Sequence, residues 1–517
     1  MRPCPMRECC IVKSVIELDG DSLSLEDLSR VASGAASAAL APRAAARVDA
    51  ARAVIDKAVA EDRVVYGVTT GFGKFADVVI PHAKLGELQL NLVRSHAAGT
   101  GPALAPPAVR AVMLLRANCL AKGFSGIRRT TLELLLACLE AGVHPVVPEQ
   151  GSVGASGDLA PLAHLALALV GEGEAEFRGR RMPAADALRE ANLAPAVLEA
   201  KEGLALINGT QLTTALGALA LGRLLDLLKA IDLVGALTLD VLKGTDKAFD
   251  ARIHAARPHP GQVASAANLR MLLAGSPLRE SHRDCGAVQD AYTLRCMPQV
   301  HGAARDAAAH ARRVIEIEMN AATDNPMVFA EEGELVSGGN FHAAPVALVC
   351  DLLAAAAADL ASISERRVER LVNPSLSGDL PAFLVKDGGL NSGLMMVHVT
   401  AAALVSEAKA NSFPASVDSI PTSAGKEDHV SMGPIAARKL ARNVDLLETV
   451  LAIELLAAGQ ALDLRRPLAS SPPLEDLHRR LRARVPFWDR DRAAAPAVEG
   501  ARAVLAGDLG PLLATLS

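Results

Sequence analysis

The chain carries only two tyrosines, Tyr66 and Tyr292, and neither sits where a core-filling tyrosine would. One lies in VVYGVTTGFG and the other in VQDAYTLRCMPQVHG, both polar stretches bounded by glycine or proline. A phenol placed in such a loop is available to hold or move a proton. Four more segments share this character: NLVRSHAAGTG (91–101), ALINGTQ (205–211), SGGNFHAAP (337–345) and PTSAGKEDHVSMG (421–433). Any one of them reads equally well as a capping loop. Six that together carry Tyr, His, Asn, Gln, Arg and Glu point to a site that binds and transfers protons.

The stretch GSVGASGDLAPLAHLALAL, residues 151–169, adds a different signal. Gly154-Ala155-Ser156-Gly157-Asp158 places five small or flexible residues ahead of an apolar helical run. Ser156 or Asp158 could cap that helix, but the glycines supply more backbone freedom than a cap needs. The stretch is not a nucleophile elbow, because Gly-x-Ser-x-Gly would require glycine where Asp158 stands. His164, eight residues beyond Ser156, falls two turns along the following helix and reads as a packed helix residue. GVTTGFGK, residues 67–74, fails as a phosphate loop because Phe75, not Ser or Thr, follows the lysine.

The elements that must position these loops are mostly helices. Of 517 residues, half are hydrophobic, enough for a large core. Ser24-Leu25-Glu26-Asp27 resembles a capping box. Four segments are unusually long: Gly209–Gly244, Leu- and Ala-rich without a proline, and Pro298–Asn325, Pro345–Val372 and Pro434–Arg466, with prolines at their boundaries. A helix of about 28 residues spans roughly 42 Å, so the expected fold is mainly α, a long central helix bundle with a smaller mixed N-terminal domain. The alanine-rich run Leu353–Leu360 suggests burial on more than one side, and so oligomerisation. Strand signals are confined to a hairpin over Glu174–Met182, and PLASSPPLEDLHRRL reads as a loop leading into a final amphipathic stretch.

Composition narrows the partners. Net charge is −5, with Lys and Arg scattered among Asp and Glu, so no nucleic-acid partner is expected. The opening residues lack an apolar signal-peptide core. The longest uncharged run, Gly203–Gly222, is interrupted by Asn208, Thr210, Gln211, Thr213 and Thr214, so no membrane association is expected. Eight irregularly spaced cysteines without a CxxC read as reduced thiols of a cytoplasmic protein, and no metal ligands are assigned.

Ala155-Ser156-Gly157, continuing as Asp158-Leu-Ala-Pro-Leu-Ala, and the six loops make the sequence similar to the aromatic amino acid ammonia-lyase family, from the early capping box to beyond Pro467. The resemblance implies that Ala155, Ser156 and Gly157 cyclise without assistance into 4-methylideneimidazole-5-one (MIO), an electrophile that no natural side chain provides. It implies a homotetramer whose active sites combine loops of three subunits, with the prosthetic-group domain over 1–205 and the helical core over 206–517. Tyr66 is then the base that removes the β-proton, and since a phenol ionises near pH 10 the site must stabilise phenolate. Arg295 grips the substrate carboxylate, Asn208 lies beside the prosthetic group, and Tyr292 and Gln289 line the site. Phe341 is an aromatic wall, and Asp158 either assists cyclisation or caps its helix.

His96 and Glu427 stand in motifs typical of family members that act on histidine. They imply L-histidine as substrate and trans-urocanate plus ammonia as products, the first step of histidine breakdown. Lys426, Met297 and Thr69 depart from the more usual glutamine, glutamine and asparagine, and bear on substrate preference. The alternatives are a tyrosine or phenylalanine lyase, an aminomutase carrying the same group, or a tetrameric scaffold that has lost catalysis.

Overall fold

A computed structural model describes residues 14–283, 285–286 and 288–517. Most of the opening stretch read for a targeting signal, with Cys4, Cys9 and Cys10, lies outside the described residues. The described chain is mainly helical. It forms two compact units: Met1–Leu219 with Val314–Ala347 and Ala415–Ile435, and Ala220–Arg313 with Leu348–Pro414 and Ala436–Ser517. All of 1–205 falls in the first unit, which also draws on three later stretches.

The first unit holds every strand among the described residues, in four small sheets of two or three strands. Ser14–Leu18 pairs in parallel with Ala36–Leu40. The expected hairpin is present: Glu174–Phe177 pairs antiparallel with Arg180–Pro183. Its two turn residues, Arg178 and Gly179, both have positive φ, the mirror-image turn that matches strand twist. Ser24 caps the helix Leu25–Ala32 by accepting from Asp27 N at 3.1 Å. The helix Pro106–Ala121 runs through the middle of this unit, buried on all sides from Ala111 to Ala121.

Four long helices form where the sequence places them: Gln211–Val241, Met297–Met319, Ala344–Val372 and Gly433–Leu464. The second ends six residues before Asn325. Its chain leaves the helix so that Asp324 can reach Lys201, whose Nζ lies 3.0 and 3.1 Å from the two carboxylate oxygens. Both side chains are fully buried. On Ala344–Val372, Leu353, Ala354, Ala357 and Leu360 are buried, while Leu348 and Leu352 remain exposed, so burial is one-sided within the chain.

In the second unit, buried charge ties the four long helices together. The Arg367 guanidinium donates to both oxygens of Glu454, at 2.6 and 2.8 Å. Glu454 also accepts from Thr238 and Ser364. Arg367 Nη1 donates to His301 Nε2, and His301 Nδ1 bonds Asp232 at 2.7 Å. Because arginine only donates, His301 holds its proton on Nδ1, and burial keeps it below its ordinary range.

The stretch around Ser156 resolves differently from either expected cap. Asp158 occupies the N-cap position of the helix Leu159–Leu169, but its carboxylate makes no bond there. It accepts instead from Thr213 N at 2.8 Å and Thr213 Oγ1 at 2.9 Å, at the start of the helix Gln211–Val241. Asp158 is fully buried, and burial pushes its carboxyl up to about 7 against the donors of Thr213 and Leu212. Ser431 Oγ donates to Gly154 O, and Met432 N to Val153 O, at the start of Gly433–Leu464. Three helix starts therefore converge on residues 153–158, and their exposed N–H groups make the local potential positive.

Two outcomes follow from this packing. Glu454→Leu strips the buried Arg367 of its carboxylate and should lower stability by about 3–5 kcal/mol, read as a fall in the urea midpoint. Asp158 keeps its proton in the folded chain up to about pH 7 but releases it near 3.8 when unfolded. Its contribution is thus complete at low pH and lost as pH rises through about 7. Denaturant titrations at about pH 5 and about pH 8 should show a smaller stability difference in Asp158→Asn than in the unsubstituted protein.

Candidate active site

The loops of the first unit enclose a cavity of about 970 Å³. Tyr66, His96, Ser156, Asn208, Phe341 and Glu427 all line it. Their positions come from local structure. Tyr66 stands on a turn-rich segment whose Gly67 has φ +67°; its ring meets Phe72 edge to face at 6.4 Å, and its hydroxyl accepts a long bond from Gly73 N at 3.4 Å. Thr69 holds that turn by donating to Arg63 O at 2.6 Å and accepting from Val65 N, so its departure from asparagine serves the backbone.

Ala155-Ser156-Gly157 forms one wall. Gly157 has φ +73°, and a Cβ on it would fall onto the backbone of Gly209. Only glycine fits that position, on both conformation and space. The two glycines form an isolated parallel bridge, with Asp158 N donating to Gly209 O at 2.6 Å. Asn208 Nδ2 donates to the Ser156 carbonyl at 2.7 Å, while Asn208 Oδ1 is buried without a partner.

Glu427 reaches the same wall. Ser156 Oγ donates to its Oε1 at 2.6 Å, and Thr422 Oγ1 donates to its Oε2 at 2.6 Å. Lys426 lines the cavity, and among the described residues it makes no ion pair with Glu427. His96, at the end of the helix Leu85–His96, bonds Leu92 O through Nδ1 at 2.9 Å. A carbonyl only accepts, so the Nδ1 proton sits there and Nε2 is left as an acceptor. Burial holds His96 below its ordinary range, while the Leu92 carbonyl and the charge of Glu427 pull the other way.

Three site residues of the sequence reading lie in the second unit. Tyr292 opens a short helix, Tyr292–Arg295, and is 69% exposed. The Arg295 guanidinium lies 4.4 Å over the Tyr292 ring, and its Nε is buried without a partner. Gln289 sits in the exposed chain just before them. Met297 is fully buried beside Gly235, in the core of that unit. Sequence reasoning missed Thr422, which orients Glu427, and Arg116, which underpins Asn208. Thr422 carries no signal beyond its place in a polar loop, and a charged residue in LLRANCLA, otherwise an apolar helical run, is the only trace of Arg116. Among the described residues no group of three or more His, Cys, Asp or Glu could hold a metal ion.

Chemically, the cavity offers a phenol, an imidazole, a carboxylate and a bent tripeptide whose carbonyl already accepts an amide donor. Comparisons with known proteins place the chain in a family. The sequence pattern of the aromatic amino acid lyase family matches residues 23–483. A histidine ammonia-lyase of Anaeromyxobacter sp. (strain K) is 59% identical over 485 residues, covering 92% of this chain and 95% of that protein. The crystal structure of histidine ammonia-lyase from Trypanosoma cruzi superposes with a TM-score of 0.90 at 44% identity, over 97% of this chain and 95% of that one. Tyrosine aminomutase from Streptomyces globisporus superposes with a TM-score of 0.92 at 39% identity, over 97% and 99%. The chain belongs to the aromatic amino acid lyase family.

Proposed function

We propose that this chain is an ammonia-lyase that converts L-histidine to trans-urocanate and ammonia. The observation that carries the reading is the placement of Glu427, whose carboxylate faces Ser156 within the cavity that also holds His96 and Tyr66. Relatives named histidine ammonia-lyase support it.

The tripeptide fits the prosthetic group MIO on local grounds. Gly157 is in the left-handed region with no room for a side chain, and Ala155 is small and buried. Asn208 leaves a buried oxygen unpartnered beside them. Once formed, the group supplies an electrophilic carbon that turns the substrate amine into a leaving group.

The chain's own residues do the rest. Asn208 Nδ2 and the nearby helix starts stabilise negative charge on the oxygen contributed by Ser156. Cyclisation removes the Ser156 hydroxyl, so Glu427 Oε1 loses its donor and accepts an N–H of the substrate imidazole instead. Thr422 keeps the carboxylate aimed, and neutral His96 presents Nε2 on the same wall. Tyr66 takes the β-proton. Phe341 and the apolar lining exclude water and strengthen each of these interactions.

Carboxylate binding falls to Arg295, with Tyr292 and Gln289 beside it. These residues belong to the second unit, and a neighbouring copy in a homotetramer supplies them. The planar fork of Arg295 suits a bidentate carboxylate, which would satisfy its unpartnered Nε. The described cysteines are free, in keeping with a reducing cytoplasm as the site of action.

Assays of ammonia release on L-histidine, L-tyrosine and L-phenylalanine test the substrate; turnover of tyrosine in preference to histidine would overturn it. Ser156→Ala should abolish turnover while leaving the far-UV spectrum unchanged. Glu427→Gln replaces a charged acceptor with a neutral one, a loss of about 1.5–3 kcal/mol. Its kcat/KM for histidine should therefore fall by roughly ten- to a hundredfold.

A further inference from the structure

We propose that Arg116 is a positioning residue for cyclisation of the tripeptide, holding Asn208–Gln211 as the surface against which Gly157 is turned. The proposal rests on the cyclisation put forward above. Arg116 is fully buried, yet no carboxylate pairs with it among the described residues. Its donors all serve one segment: Nη1 reaches Asn208 O at 3.0 Å and Gln211 Oε1 at 2.7 Å, and Nη2 reaches Ala205 O. Nε has no partner. A buried cation held only by neutral oxygens is costly, so its retention calls for a purpose.

The geometry supplies one. Gly209 is sandwiched: a Cβ on it would strike Arg116 Nη1 and Gln211 Oε1, and a Cβ on Gly157 would strike Gly209 itself. The guanidinium, Gly209 and Gly157 are thus stacked in order with no space between them. The segment that Arg116 fixes also grips both neighbours of Gly157. Asn208 Nδ2 holds the Ser156 carbonyl, and Gly209 O holds Asp158 N. With both flanks pinned, the chain between them is held in its bend.

In the reaction a bond forms from Gly157 N to the Ala155 carbonyl carbon. The Ala155 oxygen leaves as water with the Gly157 N–H and Ser156 N–H protons, making a C=N bond to Ser156 N. The Ser156 hydroxyl leaves as a second water with the Ser156 Cα proton, making the Cα=Cβ bond. No oxidant is required, and forming the Gly157 N–Ala155 C bond depends on how closely the turn holds the two atoms together.

The test follows the mass of the peptide spanning Gly151–Asp158 during cell-free synthesis. Arg116→Lys keeps the charge but loses the fork. It should slow loss of the two waters on the order of 10²-fold, the scale of a small misplacement at a reacting centre. Arg367→Lys, an equally buried guanidinium in the second unit, serves as the control: it should lower thermal stability comparably yet mature at the unsubstituted rate. Unchanged maturation in Arg116→Lys, or equal slowing in Arg367→Lys, would overturn the role of Arg116 alone. If Arg116→Lys does not fold, Gln211→Met, which removes one acceptor of Nη1, should slow maturation, and an unchanged rate there overturns the role too. An unsubstituted protein that keeps both waters overturns the cyclisation itself, and the Arg116 role with it.

Discussion

Two glycine backbones lying directly against one another, at 157 and 209, are the constraint on which the rest of the site depends. Neither position has room for a Cβ, and the bridge between them is closed by a short bond from Asp158 N to Gly209 O. Everything nearby serves to keep that approach close. Asp158 turns away from its own helix to hold the start of Gln211–Val241, and Ser431, at a third helix start, donates to Gly154 O. A loop with so many glycines would otherwise sample many conformations. Here its orphan donors and acceptors are met by helix ends that are themselves in need of partners.

That arrangement couples shape to electrostatics. Helix starts bring positive potential to the tripeptide, and a buried guanidinium stands behind it without a neutralising carboxylate. Two carboxyls in direct contact with the helix starts, Asp158 and Glu318, are pushed up by burial, Asp158 to about 7. The wall of the cavity is therefore poor in fixed negative charge except at Glu427, which two hydroxyls hold in a single orientation. An electrophile is best placed in such a setting, because charge that develops on it meets donors already aligned.

The two units answer different demands. In the second, the side chains that meet at the centre of the long helices are ionic and fully hydrogen-bonded, a network that tolerates little rearrangement. In the first, the reactive groups stand on loops rooted at helix ends. Loops carry the chemistry because their side chains and backbone groups can point into one space, and rigid helices decide where that space is.

Much of this was legible in the chain itself. Long helical segments, three of them bounded by proline, a hairpin and a serine cap each express a local preference, and each appears where its residues place it. The grouping of Tyr66, His96, Ser156, Asn208, Phe341 and Glu427 could be anticipated because their loops share an uncommon polar character, but only folding brings them around one cavity. Other decisions were purely tertiary. Asp158 looked like a cap for its own helix and serves another; the helix expected to reach Asn325 stops at Met319 so that Asp324 can meet Lys201. Arg116, which the sequence reading passed over, is the support beneath Gly209. Sequence alone determined where the longest helices would lie and which residue types could react, because backbone propensity and side-chain chemistry are local. Which partner each buried charge would find was decided by the tertiary structure, because the contacts that offset desolvation join residues far apart in the chain: 55 positions for Asp158 and Thr213, 87 for Arg367 and Glu454, 123 for Lys201 and Asp324.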